Sequence, residues 1–101
     1  MAKILSTKEK EKFISQLNKN GWKYNKEKDS IYKKFEFKNF IDAFSWMTKV
    51  ALFAEKINHH PEWCNVYKTV EVNLTTHDIN SLSDLDKILS EKMDLFFCII
   101  D

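Results

Sequence analysis

The chain contains three histidines, His59, His60 and His77, all within nineteen positions. An imidazole titrates near neutral pH and can give or take a proton. Two or three of them converging on a cleft could protonate a leaving group and deprotonate the same substrate elsewhere. Elimination of water needs that pair of operations. Two other readings fit the same residues. Each histidine could be a surface or helix-end side chain whose charge complements a helix C-terminus. The three could also join Cys64 around a metal ion, although adjacent histidines at a helix end do not readily aim at one ion and neither HxxxH nor CxxC spacing occurs.

The elements that must position these residues can be read from local signals. Ser6-Thr7-Lys8-Glu9 has capping-box spacing, and Phe13, Ile14 and Leu17 continue it as an apolar stripe, predicting a first helix to about Asn20. Gly21 stands where a left-handed cap is wanted, and Trp22-Lys23-Tyr24 then begins a first strand. After the polar turn Asn25 to Ser30, Ile31, Lys33, Phe35 and Phe37 alternate with Tyr32, Lys34, Glu36 and Lys38, which predicts a hairpin partner broken in pattern only by Lys33.

Asn39 is a plausible N-cap, with Asp42 three residues on. Phe40, Ala43, Phe44, Met47, Val50, Ala51, Ala54 and Ile57 then keep helical spacing over about five turns. Trp46 and Phe53 fall on another side of that central helix, either completing the core or offering a second partner surface. Pro61 stops the helix, and a third strand is expected through Val66 and Tyr67 to Thr69. In the fourth, Val70, Val72 and Leu74 take one face while Glu71, Asn73, Thr75 and His77 take the other, so His77 is expected at a strand end. Ser83 caps a last helix with an acid at its third position, followed by Leu85, Ile88, Leu89, Met93, Phe96, Phe97 and Ile100. The order α-β-β-α-β-β-α with short connections predicts an α+β fold: a four-stranded antiparallel sheet with three helices packed on one face, as one domain over residues 1–101.

Composition bounds the function. All sixteen basic residues are lysines, balanced by fifteen acids to a net charge of +1. Without arginine the bidentate fork that reads guanine or clamps phosphate is missing, which argues against direct nucleic-acid binding. Cys64 and Cys98 lie far apart, consistent with a reducing cytosolic setting, with the nucleus also open. No apolar run is long enough to span a bilayer and no cationic stretch followed by an apolar run opens the sequence, so neither membrane insertion nor secretion is expected.

The run Glu55-Lys56-Ile57-Asn58-His59-His60-Pro61-Glu62-Trp63, then N-V-Y-K-x-V-x-V-x-L-x-T-H ending at His77, then L-S-x-x-D ending at Asp86, resembles the signature of the pterin-4a-carbinolamine dehydratases. Weaker similarity reaches upstream through Gly21-Trp22, Phe35 to Phe40 and Ala43 to Ala51. The resemblance implies dehydration of 4a-hydroxytetrahydropterin to quinonoid dihydropterin, with no metal or organic cofactor. It implies acid/base and pterin-binding roles for His59, His60 and His77, with Glu55 and Asp86 as acids flanking the site. By the same likeness Asn58, Thr75, Thr76 and Asp78 would line the pterin pocket, and Trp63 would wall the ring or pack. A homodimer or homotetramer is implied as well.

Taken singly, Glu55 could be a solvated helix acid, Asp86 a capping-box carboxylate, and Thr75 and Thr76 ordinary strand residues. The chain departs from animal members of the family at Asn58, where Asp is common, at Cys64, where a bulky aromatic is common, and at Ser81, where Gly is common. Losing that glycine predicts a differently shaped loop before the last helix. Some members also serve as dimerisation cofactors for a homeodomain transcription factor, a protein-binding role that Trp46 and Phe53 could support. A sheet with exposed aromatics that stacks bases is a third reading, opposed by the charge balance.

Overall fold

The computed structural model describes residues 2–100. Helix α1 (Thr7–Lys19) starts at the expected capping box: Ser6 Oγ accepts from Glu9 N at 3.2 Å, and Ser6 N donates to Glu9 Oε1 at 3.0 Å. It ends where Gly21 takes φ +88°, with Trp22 N donating back to Leu17 O at 2.9 Å. Strands β1 (Lys23–Asn25) and β2 (Ser30–Glu36) form the first hairpin. Helix α2 (Phe40–Lys56) starts at Asn39, whose side chain accepts from Asp42 N at 2.8 Å. Strands β3 (Glu62–Val66) and β4 (Thr69–Leu74) follow, then a single 3-10 turn (His77–Ile79) and helix α3 (Asp84–Ile100). The sheet is antiparallel in the order β1-β2-β4-β3, giving the α+β architecture and element order expected.

Register divides the sheet into two faces. Ile31, Phe35, Val70, Val72 and Leu74 are buried under the helices, where Phe13 and Leu17 of α1, Val50 and Ala54 of α2, and Leu89 and Met93 of α3 complete one core. The opposite face carries the row Tyr32, Asn73 and Glu62 on neighbouring strands, and beside it Lys34, Glu71 and Cys64. Lys33, the break in the β2 pattern, does face the helices. Its ammonium is bonded there to Asp94 Oδ1 and Asn20 O, both at 2.6 Å, and lies 4.7 Å from the Phe35 ring centroid.

Three sequence expectations are corrected, for the third strand, the end of the fourth and the placing of Phe40 and Phe44, and the alternative left open for Trp46 is decided for the core. The third strand is Glu62–Val66, earlier than predicted, and Tyr67 and Lys68 turn the hairpin with Tyr67 at φ +55°. The fourth strand stops at Leu74, so His77 opens the 3-10 turn instead of ending a strand. Trp46 lies at the centre of the buried stripe of α2: it is fully buried, with its Nε1 donating to Met93 O at 3.0 Å. Phe40 and Phe44, assigned to that stripe by spacing, are instead 45% and 55% exposed. Packing against β4 and α3 centres the stripe on Ala43, Trp46, Val50 and Ala54 (i, i+3, i+7, i+11), which turns Phe44 outward.

Candidate active site

The C-terminus of α2 determines how the paired histidines are aimed. Asn58 sits in the left-handed region at φ +52°, its N–H donating to Glu55 O at 3.2 Å, while His59 N donates to Ala54 O at 3.0 Å. This is a Schellman termination with asparagine in the position that tolerates positive φ. The chain leaves it extended into Pro61, which disfavours helical backbone at His60. Successive side chains of extended backbone point opposite ways, and here His59 is buried while His60 is exposed. The same division recurs beyond β4, where Thr76 is buried and Thr75 reaches an open cleft.

The buried members meet at Asp86 in the first turn of α3. Asp86 is fully buried, and its Oδ1 lies 2.6 Å from His59 Nε2. Its Oδ2 accepts from Thr76 Oγ1 and from Ser83 N, each at 2.9 Å. Leu85 N donates to Ser83 Oγ at 3.2 Å, and the Ser83 and Thr76 hydroxyls are 2.6 Å apart. Because Thr76 spends its proton on Asp86, the Ser83 hydroxyl donates to Thr76, and the chain of donors closes. Among the described residues no buried side-chain polar atom lacks a partner. Asp86 is therefore both the capping carboxylate of α3 and the acceptor that ties the His59 segment to the Thr76 segment.

The exposed members share a cleft of about 510 Å³, lined by Glu27, Lys28, Ser30, His60, Glu62, Asn73, Thr75, His77 and Asn80. It lies at one end of the open sheet face, between the β1–β2 turn, the start of β3 and the 3-10 turn. His60 Nε2 is 2.8 Å from Glu55 Oε1, and His77 Nε2 is 3.6 Å from Glu62 Oε1. Each histidine thus has a carboxylate of its own, and the pairs range from the buried His59–Asp86 to the solvated His77–Glu62.

Of the residues predicted for the site, His60, Thr75 and His77 line the cleft together. His59, Thr76 and Asp86 form the buried network, and Glu55 reaches the cleft only through His60. Asn58 makes the turn, and its side chain is not among those lining the cleft. Trp63 sits on the helix-facing side of β3, its ring 6.2 Å from that of Trp46, and Asp78 is exposed on the 3-10 turn outside the lining set. His59, His60, His77 and Cys64 do not converge: among the described residues no three His, Cys, Asp or Glu side chains form a metal-holding group.

The model for pterin 4 alpha carbinolamine dehydratase matches residues 3–96. The chain belongs to the pterin-4a-carbinolamine dehydratase family. Relatives carrying the pterin-4-alpha-carbinolamine dehydratase name include one from Jannaschia sp. (strain CCS1), 53% identical over 93% of this chain and 96% of its own. Another, from Roseobacter denitrificans, is 54% identical over the same shares. A crystal structure from Brucella melitensis described as a transcriptional coactivator/pterin dehydratase superposes with a TM-score of 0.83 at 38% identity, over 92% of this chain and 97% of that one. A pterin dehydratase-like RuBisCO assembly factor of the alpha-carboxysome shares the fold, with a TM-score of 0.65 at 14% identity over 75% and 88% of the two chains.

The cleft also has lining residues that were not among those predicted for the site. Asn73 was legible, since the alternation of β4 places it on the polar face with Thr75. Glu62 lies inside the signature run, but its closeness to His77 depends on the pairing of β3 with β4. Ser30 and the turn residues Glu27 and Lys28 gave no signal, nor did Asp29. Its carboxylate accepts from Lys10 Nζ at 2.8 Å, Ser81 Oγ at 2.6 Å, Leu82 N at 3.0 Å and the Tyr24 hydroxyl. Burial alone would raise the Asp29 carboxyl, but these donors outweigh it and hold the group well below the usual carboxylate range. Tyr24 is pushed up to about 12, first by burial and then by its bond to Asp29. The left-handed residue of the loop before α3 is Asn80, at φ +48°, so Ser81 does not occupy the strained position there.

Proposed function

We propose that this chain dehydrates a 4a-hydroxytetrahydropterin, 4a-hydroxytetrahydrobiopterin being the reference substrate, to the quinonoid dihydropterin, regenerating the pterin by histidine acid/base catalysis. The C4a–O bond breaks with a proton delivered to the departing hydroxyl, and N5 loses its proton as the N5–C4a double bond forms, so no oxidant or metal enters the balance. The observation that carries this reading is the pairing of His60 and His77 on one cleft, each with a carboxylate beside its Nε2. A pair of imidazoles facing one substrate supplies both proton transfers. His59, buried behind the cleft against Asp86, is the third histidine of the proposed set. With Asp86 accepting, its Nε2 carries the proton, and in the neutral ring Nδ1 holds the lone pair as a base. Thr75 and Asn73 supply a hydroxyl and an amide for the polar edge of the ring.

The test is stopped-flow absorbance of freshly generated 4a-hydroxytetrahydrobiopterin, with protein pretreated with a chelator. The expected result is a first-order decay whose rate rises in proportion to protein and is indifferent to the chelator. A decay equal to the spontaneous one rejects the dehydratase reading, and activity lost with the chelator and restored by zinc rejects the metal-free mechanism.

We further propose a homodimer or homotetramer acting in the cytosol. Supporting this, Ile41, Phe44 and Leu52 lie along one side of α2 at i, i+3 and i+11 and are 73%, 55% and 70% exposed. This stripe replaces buried Trp46 as the candidate partner surface, and it would equally serve the alternative protein-binding, coactivator role. No helix among the described residues is long and apolar enough to cross a membrane. Light scattering at micromolar protein should give a mass at least twice 12.1 kDa, falling to the monomer in Leu52→Glu. A wild-type monomer refutes the assembly.

A further inference from the structure

We infer that Asp29 is a positioning residue for the cleft, setting the wall formed by the β1–β2 turn and the segment from Thr75 to Leu82. This rests on the reading of the cleft as the pterin site. Asp29 is itself left-handed, at φ +47°, and is flanked by the lining residues Lys28 and Ser30. Its carbonyl accepts from Thr75 Oγ1 at 2.9 Å, which fixes the rotamer of a cleft hydroxyl. Its carboxylate holds Ser81 and the Leu82 amide, the two residues next in the chain after the lining residue Asn80. From the other side it is held by Lys10 of α1 and by Tyr24 of β1. Five bonds from three parts of the chain thus converge on one turn residue, and three of them lead to the segment that carries Thr75, His77 and Asn80.

The asymmetry of these bonds separates positioning from mere stability. The Lys10 arm runs to α1 and away from the cleft, while the Ser81 arm runs to the cleft wall. Ser81 is the wall-side partner, its hydroxyl donating to Asp29 Oδ2 at 2.6 Å.

The experiment compares Asp29→Asn, Ser81→Ala and Lys10→Met with the wild type by steady-state dehydration kinetics, by thermal unfolding and by amide hydrogen exchange at Leu82. Asparagine tolerates positive φ and nearly matches the aspartate in shape, so Asp29→Asn tests charge and acceptor geometry rather than turn formation. Expected are a rise in KM of about tenfold for Asp29→Asn and about threefold for Ser81→Ala with kcat within about twofold, the pattern of lost binding rather than lost chemistry. Leu82 exchange should accelerate in both. Lys10→Met should lower the melting temperature and leave KM and kcat unchanged. The inference is overturned if Asp29→Asn and Ser81→Ala lose stability at unchanged KM, or if Leu82 exchange stays at the wild-type rate. Should Asp29→Asn fail to fold, Ser81→Ala decides alone. Absence of wild-type activity would reject the dehydratase reading, whereas the exchange measurement still decides whether Asp29 holds the wall.

Discussion

Replacing Asp86 with asparagine changes one atom of a fully buried carboxylate and should disturb both the stability and the proton inventory of the site. The wild-type group accepts three bonds, at 2.6 Å from His59 and at 2.9 Å from Thr76 and Ser83 N. An asparagine can keep its carbonyl oxygen toward Thr76 and Ser83, which are both donors, only by turning its amide toward His59. The ring must then accept at Nε2 and carry its proton on Nδ1, the opposite of the wild-type tautomer. The number of bonds is conserved, but three charge-assisted bonds become neutral ones. At about 1 kcal/mol lost per bond the variant should be less stable by about 2–3 kcal/mol. For a chain of this size that lowers the melting temperature by about 8–24 °C. Thermal unfolding by circular dichroism reads the first effect, and 15N shifts of the His59 ring nitrogens read the second. With Nδ1 protonated the ring has no base at that atom, so the dehydration rate should fall about 100-fold or more. An Asp86→Asn variant with wild-type melting temperature and an unchanged His59 tautomer would refute the reasoning.

Two further outcomes follow from the backbone and from Asp29. Asn58→Gly should change stability by less than about 0.5 kcal/mol and keep kcat/KM, because the left-handed turn is all the position supplies. Asn58→Val should cost about 1–2 kcal/mol in urea unfolding, and a large kcat/KM loss in the glycine variant would instead mark the amide as a pterin contact. The Asp29 carboxyl lies lower in the folded chain than its ordinary value of 3.8, so its contribution is present above about pH 4 and is lost as pH falls below that. Tyr24 lies higher in the folded chain, at about 12 against 10.0, so its contribution is present below pH 10 and is lost between pH 10 and 12. Unfolding midpoints measured against pH should decline in both windows for the wild type and less steeply for Asp29→Asn. Parallel curves for the two proteins would contradict this.

Helix starts were readable because their chemistry is local: Ser6 with Glu9 and Asn39 with Asp42 form their caps within four residues. Gly21 was readable for the same reason. The β3–β4 turn was missed because Tyr67 adopts positive φ with no glycine or asparagine to announce it, and because the edge strand Glu62–Val66 alternates weakly. Trp46 was ambiguous because spacing gives the width of an apolar stripe, while its centre is set by what packs on it. At the site, the types and clustering of the histidines were legible, but which way each ring points was not. That direction depends on the turn at Asn58 and on the extended backbone that follows, and it separates His59 from His60. Asp29 gave no signal because its donors come from positions 10, 24, 81 and 82, which only the folded chain brings together.

The central claim is that His60 and His77 serve one substrate from one cleft. Its most direct measurement is the single-turnover rate of 4a-hydroxytetrahydrobiopterin dehydration in His60→Ala, His77→Ala and the double variant. Acting as a unit, the two should each lose about 100-fold or more when removed singly, with the double variant little worse than the poorer single one. Single variants that retain the wild-type rate, or losses that multiply fully in the double variant, would contradict it.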